Sequence, residues 1–337
     1  MSSAADLVAR LSEAYDKALN SGDLLFFPST IIKHVELGVD FEIRSCPALL
    51  QKAVAETLPA SISKTDDGFT EKNPFLPPYN QNLYVGEITP EGADERDGYV
   101  LNKFSAVPQH FLLITKEHKS QSSPLLPPDL VTTYQLLIAA KNVGKTYVAF
   151  YNCGDASGAS QPHKHIQFLP VDDPRGPPIE KLAALVQIES PDKPFALSRL
   201  PYANHTYRFP PHFSYSPPDK LEAILATAFL QLLDLVISSV RHAPDAPAGR
   251  PSYNVILTLE HLHLIPRARD VYTFPETDKT LSVNSLGFAG YLLVKTDDEL
   301  EAVKQAGVGN ILRGVGFKNV HDLLVAGGEV EAEGLVT

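Results

Sequence analysis

Residues 163–169 form a short alternating stretch directly after a turn of small residues, and no other feature constrains the fold as strongly. The sequence reads Gly-Ala-Ser-Gln-Pro over residues 158–162 and His-Lys-His-Ile-Gln-Phe-Leu over residues 163–169. Side chains alternate along a β-strand, so His163, His165 and Gln167 share one face. The intervening residues face the opposite side. The pattern predicts a strand with one polar and one largely apolar face.

Two imidazoles and a carboxamide on one strand face suit phosphoryl chemistry. Imidazole has an unperturbed pKa of roughly 6.5, so much of it is neutral at pH 7 and can attack phosphorus without a separate base. The Gln167 amide can donate a hydrogen bond to a phosphate oxygen. The backbone N–H groups of the 158–160 turn can form a concave anion site.

A His-x-His pair permits two other interpretations. It could supply two metal ligands from one side of a strand, although no third ligand follows at short spacing. It could also be purely structural, which a bare His-x-His would favour. The preceding Gly-Ala-Ser-Gln and the following Gln167 favour chemistry instead.

Further motifs accompany this strand. The sequence contains Ser157-Gly-Ala-Ser-x-x-His-x-His-x-Gln167, Asn102-Lys-Phe-Ser-Ala-Val-Pro-Gln-His110, Phe150-Tyr-Asn-Cys-Gly154, Ser252-Tyr-Asn-Val-Ile-Leu-Thr258, Pro266-Arg267 and Asn284-Ser-Leu-Gly-Phe-Ala-Gly290. Together they resemble the nucleotidyltransferase branch of the histidine-triad superfamily. The match is closest to the fungal diadenosine tetraphosphate phosphorylases, also called ATP adenylyltransferases, and covers most of residues 1–325.

The resemblance implies an α+β fold with a histidine-triad-like, mostly antiparallel sheet and flanking helices. It implies an N-terminal catalytic part over residues 1–190. A C-terminal ATP-adenylyltransferase-type part over residues 191–337 would complete the nucleotide site. A second His-x-His occurs at residues 261–263, but it lacks the small-residue turn and the Gln, so we expect a structural strand there. Its likeness to residues 111–115 suggests two degenerate related halves.

The resemblance also assigns roles to residues. His165 would be the nucleophile, and His163 would orient it through its backbone carbonyl and assist the leaving oxygen. Gln167 would donate to phosphate. The implied substrate-binding residues are Lys52, Asn102, Lys103, Asn152, Gly158, Ala159, Ser160, Gln161, Gln167, Asn284, Ser285, Leu286, Tyr291 and Lys295. The family usually has a small polar residue at position 286, so Leu286 would contact substrate through backbone atoms.

The reaction implied is phosphorolysis of diadenosine tetraphosphate by inorganic phosphate, giving ADP and ATP reversibly through an adenylyl-histidine. Related hydrolases carry a third histidine where this chain has Gln167. An amide cannot supply a proton, which favours transfer to phosphate over transfer to water. A hexose-1-phosphate uridylyltransferase-like enzyme and a non-catalytic nucleotide-binding protein are the alternatives.

Composition bears on partners and location. The net charge of −11 argues against general nucleic-acid binding, which favours a basic face. Cys46 and Cys153 do not form a disulfide framework, and reduced thiols favour the cytoplasm, with the nucleus as a second location. No stretch approaches the roughly 20 apolar residues that span a bilayer, so we expect no membrane partner.

The expected partners are a dinucleoside polyphosphate, ATP, ADP, AMP and inorganic phosphate. A divalent cation, Mg²⁺, is expected to arrive with the polyphosphate, and no protein-built metal site is expected. Two related halves on one chain could replace a dimer, so we expect a monomer.

Local patterns predict the main elements. Helices are expected over residues 4–19, 130–143, 181–188, 218–242, 297–306 and 317–325. Strands are expected over residues 83–88, 99–104, 111–115 and 147–151, with a strand pair at 26–27 and 31–35 and a hairpin at 253–259 and 261–265. Residues 58–80 are expected to be a loop, and residues 284–290 a turn.

Overall fold

A central eight-stranded sheet organises the chain, and all of its strand pairings are antiparallel. The computed structural model describes residues 3–50, 73–89, 97–188, 190–244 and 249–319. The strands are β1 Leu25–Phe26, β2 Thr30–Glu36, β3 Val39–Ser45, β4 Tyr84–Ile88, β5 Asp97–Leu101, β6 Phe104–Ser105, β7 Phe111–Thr115, β8 Tyr147–Cys153, β9 His165–Pro170, β10 His205–Arg208, β11 Ser252–Leu257, β12 His261–Arg267, β13 Val271–Thr273, β14 Thr280–Ser282 and β15 Tyr291–Val294.

The central sheet has the order β10-β12-β11-β8-β9-β7-β5-β4. Strands β15, β3 and β2 form a second sheet, and β1–β6 and β13–β14 are two-stranded. The helices are α1 Ala4–Asn20, α2 Pro127–Asn142, α3 Pro178–Ala184, α4 Pro218–Arg241, α5 Ser285–Ala289, α6 Asp297–Ala306 and α7 Val308–Val315. The fold is α+β, as the sequence predicted.

The middle of the central sheet is built from two hairpins. Strands β8 and β11 are neighbours, and Asn152 lies opposite Asn254. Each strand then pairs with its own partner, β8 with β9 and β11 with β12. The sheet extends outward through β7 on one side and β10 on the other. In this order β12 has the position beside β11 that β9 has beside β8, so residues 261–265 correspond to β9 and the correspondence with residues 111–115 of β7 expected from sequence was wrong.

Helices α1, α2 and α4 cover one face of the central sheet. Helix α1 begins at Ser3, whose side chain forms a capping box with Asp6. Ile166 and Phe168 of β9 belong to the core beneath these helices. Lys164 also lies on this side, where its ammonium is 2.6 Å from the Asp129 carboxylate of α2. The alternation predicted for residues 163–169 is therefore confirmed on the helical face.

Helix α4 is long and apolar enough to cross a membrane by length and composition alone, so our expectation that no stretch meets this test was wrong. Residues of α4 such as Leu221, Leu225, Leu232 and Val236 are buried at helical spacing and join the core of the central sheet. A core helix passes the same test, and we interpret α4 as the predicted core helix.

The opposite face of the central sheet carries the polar residues of β8, β9, β11 and β12. Helices α3 and α5 and the three-stranded sheet pack over part of this face, in a second core that includes Phe150, Leu169 and Ile256. Because one sheet joins β4 to β10, it continues across the predicted division at residues 190 and 191. Residues from both parts therefore meet on one surface.

Three local predictions were wrong. Residues 25–26 do not pair with the strand after them; they pair in parallel with Phe104–Ser105, while Thr30–Glu36 pairs with Val39–Ser45. Residues 285–289 form a helix capped by Asn284 rather than a turn. Helix α7 was not predicted, and of the helix expected over residues 317–325, residues 317–319 are not helical and the rest lie outside the described residues.

Two predicted helix starts also shift. The helix expected from residue 130 begins at Pro127, and Asp129 lies in its first turn, where it accepts a hydrogen bond from the Leu126 backbone at 2.6 Å. Proline suits the first turn because its missing N–H has no partner there. The helix expected over residues 181–188 likewise begins earlier, at Pro178, and ends at Ala184.

Candidate active site

Gly158 lets the loop after β8 meet the C-terminal part of the chain. Its φ of +78° is in the left-handed region that favours glycine, and a Cβ there would lie 2.5 Å from the Val283 carbonyl oxygen. The loop therefore packs directly against residues 283–284. Within the described residues, the backbone N–H groups of residues 159–161 donate no hydrogen bond. They remain available to an anion.

His165 is held in the orientation expected of a nucleophile. It begins β9 and is only 2% exposed. Its Nδ1 is 2.8 Å from the His163 carbonyl oxygen, as the sequence predicted. That carbonyl can only accept, so the proton lies on Nδ1 and Nε2 keeps its lone pair. Burial lowers the pKa of His165 to about 4, although the bond to His163 opposes the shift.

Gln167 has a fixed amide orientation. Asn102 Nδ2 is 3.0 Å from His110 Nδ1, and His110 Nε2 is 3.1 Å from Gln167 Oε1. The Asn102 amide donates to His110, so the His110 proton lies on Nε2 and is donated to Gln167. The Gln167 NH₂ group consequently faces His165, with Nε2 to Nε2 at 3.5 Å. His110 was quoted in a motif but received no role from sequence.

His163 has both ring nitrogens occupied. Its Nε2 is 2.7 Å from the Thr115 carbonyl oxygen, and its Nδ1 is 3.0 Å from Asn73 Nδ2. His163 therefore donates from Nε2 and accepts at Nδ1, and burial lowers its pKa. Because both ring nitrogens are engaged in the described chain, assistance of the leaving oxygen by the His163 ring stays a prediction. His163 orients the His165 ring through its backbone carbonyl oxygen.

Asn152 joins the two parts of the chain at the site. Its Oδ1 accepts hydrogen bonds from Asn254 Nδ2 at 2.9 Å, the Ser285 backbone at 3.0 Å and Ser285 Oγ at 2.6 Å. Its Nδ2 is buried without a partner in the described part of the chain. A buried unpaired donor costs free energy, and a substrate acceptor would satisfy it.

Arg267 is fully buried beneath this junction. Its guanidinium donates to the carbonyl oxygens of Ser157 at 3.1 Å and Val283 at 2.8 Å, and also to Asn254 Oδ1. Burial lowers its pKa to about 9, which leaves the group charged at pH 7. Arg267 ties the loop at Gly158 to the loop before α5. The sequence identified it only as part of a motif.

The remaining predicted contacts of the C-terminal part are distributed over α5 and β15. Asn284 Oδ1 accepts from the Leu286 backbone N–H at 2.9 Å, so that N–H is engaged, and the Leu286 side chain packs on the second core. Tyr291 is buried in β15, which pairs with β3. Lys295 follows β15 and is exposed.

The predicted residues of the N-terminal part lie in three places. Ala159 and Gln161 are half-buried and Ser160 is exposed, all in the loop that leads to His163. Lys103 is exposed, with its ammonium 5.3 Å from the centre of the Phe104 ring. Lys52 lies outside the described residues. Of the predicted residues, Asn102 is linked to Gln167 through His110. Asn152 is linked to His165 through Gln121, whose Nε2 donates to the backbone carbonyl oxygens of both.

The second His-x-His lies in β12, where His261 and His263 face the buried Glu180 of α3. Their possible ligand atoms all lie within 4.8 Å, so this set could hold a cation. However, Arg208 Nε donates to His261 Nε2 at 2.9 Å, and His261 Nδ1 is 2.5 Å from Glu180. The His261 proton therefore occupies Nδ1, where a metal would need a lone pair. We interpret the cluster as a buried hydrogen-bond network around the Glu180 carboxylate, in agreement with the structural strand predicted here.

The buried histidines predict a loss of stability in mild acid. His110 and His165 each have a pKa of about 4 in the folded state because burial disfavours their charge, against roughly 6.5 when unfolded. Their contribution is complete above pH 6.5 and is lost as the pH falls toward 4. We expect the free energy of unfolding to drop by about 1–2 kcal/mol per histidine between pH 7 and pH 5.

Urea unfolding at pH 7 and pH 5 measures this drop. His110→Gln removes one titrating group, so the variant should show a smaller difference between the two pH values. Equal unfolding free energies for the unmodified chain at both pH values would contradict the shifts.

Both parts of the chain are similar to known proteins. A family model described as the Ap4A phosphorylase N-terminal domain matches residues 1–185, and one described as the ATP adenylyltransferase C-terminal domain matches residues 198–318. Protein APA1 of Saccharomyces cerevisiae is 28% identical over 334 residues, covering 95% of this chain and 97% of the relative. Diadenosine 5',5'''-P1,P4-tetraphosphate phosphorylase 2 of the same yeast is 30% identical over 258 residues, covering 72% and 75%.

Solved structures agree with this comparison. The crystal structure of yeast Ap4A phosphorylase Apa2 is 26% identical, has a TM-score of 0.74, and covers 93% of this chain and 95% of that one. The same yeast protein has been solved in complex with AMP and in complex with Ap4A, each with a TM-score of 0.72 to this chain.

Proposed function

Because the chain belongs to the Ap4A phosphorylase family, we propose that it cleaves diadenosine tetraphosphate with inorganic phosphate, giving ADP and ATP in a reversible reaction. The observation that carries this proposal is the geometry of His165, a neutral buried imidazole whose Nδ1 proton is held by the His163 carbonyl. Family membership favours this reaction over that of a hexose-1-phosphate uridylyltransferase. The chain is a nucleotidyltransferase.

The first step is attack of His165 Nε2 on the α-phosphorus. The N–P bond forms as the bond from that phosphorus to the bridging oxygen breaks, and ATP leaves. The imidazole gains positive charge during attack, and the His163 carbonyl at Nδ1 stabilises it. In the second step an oxygen of inorganic phosphate attacks the same phosphorus, the N–P bond breaks, and ADP is released with His165 neutral again.

Fixed donors lower the barrier to both displacements. The Gln167 NH₂ group is aimed at the reacting nitrogen by Asn102 and His110, so it can donate to a phosphoryl oxygen without rotating. The N–H groups of residues 159–161, which donate no hydrogen bond within the described residues, supply further donors. Donors held in place before the reaction cost no reorganisation as charge shifts.

The proposal extends to partners and location. The enzyme binds AMP, ADP and ATP as well as the dinucleotide, which agrees with the relatives solved with AMP and Ap4A. Mg²⁺ enters bound to the polyphosphate, since this ion keeps several waters and binds through substrate phosphates. The chain acts as a monomer in the cytoplasm, with the nucleus as a second location, and without nucleic acid or membrane.

Product analysis tests the proposed function. The protein is incubated with diadenosine tetraphosphate and Mg²⁺, with and without inorganic phosphate, and nucleotides are separated by chromatography. We expect ADP and ATP in equal amounts, formed only when phosphate is present. AMP and ATP formed without phosphate would identify a hydrolase. Binding without turnover would support a non-catalytic protein.

A further inference from the structure

Residues 73–76 form a short turn that lies against both catalytic-strand histidines. The Asn73 side-chain oxygen accepts a hydrogen bond from the Phe75 backbone at 3.0 Å, and the Leu76 backbone donates to the Asn73 carbonyl at 3.3 Å. The Oδ1 of Asn73 is therefore occupied, so its Nδ2 is the atom that faces His163. The sequence had placed this turn within an expected loop with no function.

The turn is anchored on the catalytic face of the sheet. Phe75 packs with Tyr79 and Tyr84 on an apolar cluster formed by Val100, Leu112 and Ile114. Leu112 pairs with Gln167, and Ile114 pairs with His165. The cluster is therefore the immediate cross-strand neighbour of the catalytic side chains.

The Phe75 ring is close to the nucleophile itself. Its centroid is 5.1 Å from that of His165, with the planes tilted by 51°, and 5.9 Å from that of His163, edge to face. Phe75, Leu112 and Ile114 together form an apolar wall beside His165. The loop that leads into His163 offers backbone N–H groups at residues 159–161 that donate no hydrogen bond within the described residues.

The apolar wall affects the second displacement, in which the adenylyl group leaves His165. The N–P bond of adenylyl-His165 can be broken by a phosphate oxygen, giving ADP, or by a water oxygen, giving AMP and a proton. Gln167 does not exclude water physically; it only lacks a proton to give. An apolar wall cannot hydrogen-bond to water and so cannot hold one in position for attack. An anion is held by the backbone donors instead.

We propose that the Asn73–Leu76 turn determines the acceptor: Phe75 shields adenylyl-His165 from water, and Asn73 positions the turn through its bond to His163. The inference rests on the proposed function, because it concerns the fate of the same intermediate. It adds Phe75 as a specificity-determining residue and Asn73 as a positioning residue for phosphate over water.

The ratio of AMP to ADP tests the proposal. We expect Phe75→Ala to raise this ratio at saturating phosphate by about tenfold or more, and to form AMP without phosphate. Phe75→Leu, which keeps an apolar side chain on the wall, should give a smaller rise and preserves the fold if alanine does not. Asn73→Ala should shift the ratio in the same direction by a smaller factor.

Phe195→Ala is the matched control. Phe195 is half-buried and lies 6.1 Å, edge to face, from His261 of the second His-x-His. Its removal opens an equivalent space beside a histidine that the proposed reaction does not use, so the AMP to ADP ratio should stay at the unmodified value.

Two results would overturn the inference. An unchanged AMP to ADP ratio in Phe75→Leu, with phosphorolysis still measurable, would show that the ring does not govern the acceptor. A rise in KM for diadenosine tetraphosphate alone would assign Phe75 to substrate binding. If the unmodified protein forms no ADP and ATP from phosphate, the proposed function itself fails, which is a distinct outcome.

Discussion

Replacement of His165 by alanine is expected to lower the rate of phosphorolysis by about four orders of magnitude or more, the loss typical of a missing nucleophile. His163, the other histidine of the catalytic strand, is not placed to substitute for it, because both of its ring nitrogens are engaged with Thr115 and Asn73. The fold should persist, since the His165 backbone N–H still donates to Gln121 Oε1 at 2.8 Å.

The measurement is the initial rate of ATP formation from diadenosine tetraphosphate and phosphate, combined with acid quenching to detect adenylate bound to the protein. His205→Gln is the control, because burial also lowers the pKa of His205 to about 4, yet it lies in β10 at the far edge of the sheet. The His205→Gln control should form ATP at the unmodified rate, and acid quenching should still detect adenylate bound to it. If adenylate is found bound to the His165→Ala variant, the nucleophile is another residue.

Replacement of Arg267 by methionine is expected to destabilise the fold by about 1–3 kcal/mol, the cost typical of leaving a buried hydrogen-bonding group unsatisfied. The change leaves the Val283 carbonyl oxygen without a donor among the described residues. The Ser157 and Val315 carbonyl oxygens lose one donor each but still accept from Asn254 Nδ2 and from the Ala268 backbone. These oxygens stay buried because the surrounding strands and loops still cover them. The loop at Gly158 would also lose its tie to α5, so KM should rise.

Urea unfolding, monitored by circular dichroism, measures the destabilisation as a shift of the midpoint with an unchanged slope. Arg313→Met is the control, since Arg313 is an exposed residue of α7 and its removal should change the unfolding free energy by less than about 0.5 kcal/mol. An Arg267→Met variant as stable as the control would mean that water replaces the guanidinium without cost.

Elements with a strong local signal were predictable from sequence. The strand at His165 has a clear alternation, α4 has a regular apolar stripe, and the hairpin of β11 and β12 joins two adjacent apolar runs. The pairing of Leu25–Phe26 with Phe104–Ser105 has no local signal, because neither dipeptide encodes its distant partner. Helix α5 is only five residues long, too short for periodicity to identify.

Within the candidate site, only the arrangement of the catalytic strand was predictable from sequence. Spacing placed His165 and Gln167 on one face, and the family resemblance supplied the role of the His163 carbonyl. Spacing could not reveal that His110 fixes the Gln167 amide, since β7 and β9 meet only in the folded sheet. Asn73 and Phe75 lie in a proline-rich stretch without periodicity, and their contact with the histidines depends entirely on tertiary structure.

The pairing of Asn152 with Asn254 indicates that corresponding strand positions have different roles in the two halves. If these residues correspond, then Phe150 corresponds to Ser252, and their partners Gln167 and Arg267 correspond in turn. One half thus has the Gln167 amide, proposed to act in the reaction, at the position where the other half has the Arg267 guanidinium, which holds two loops together. Two identical subunits could not diverge in this way. In the same correspondence Ile265 stands where the first half has His165, so the second half has no imidazole at that position.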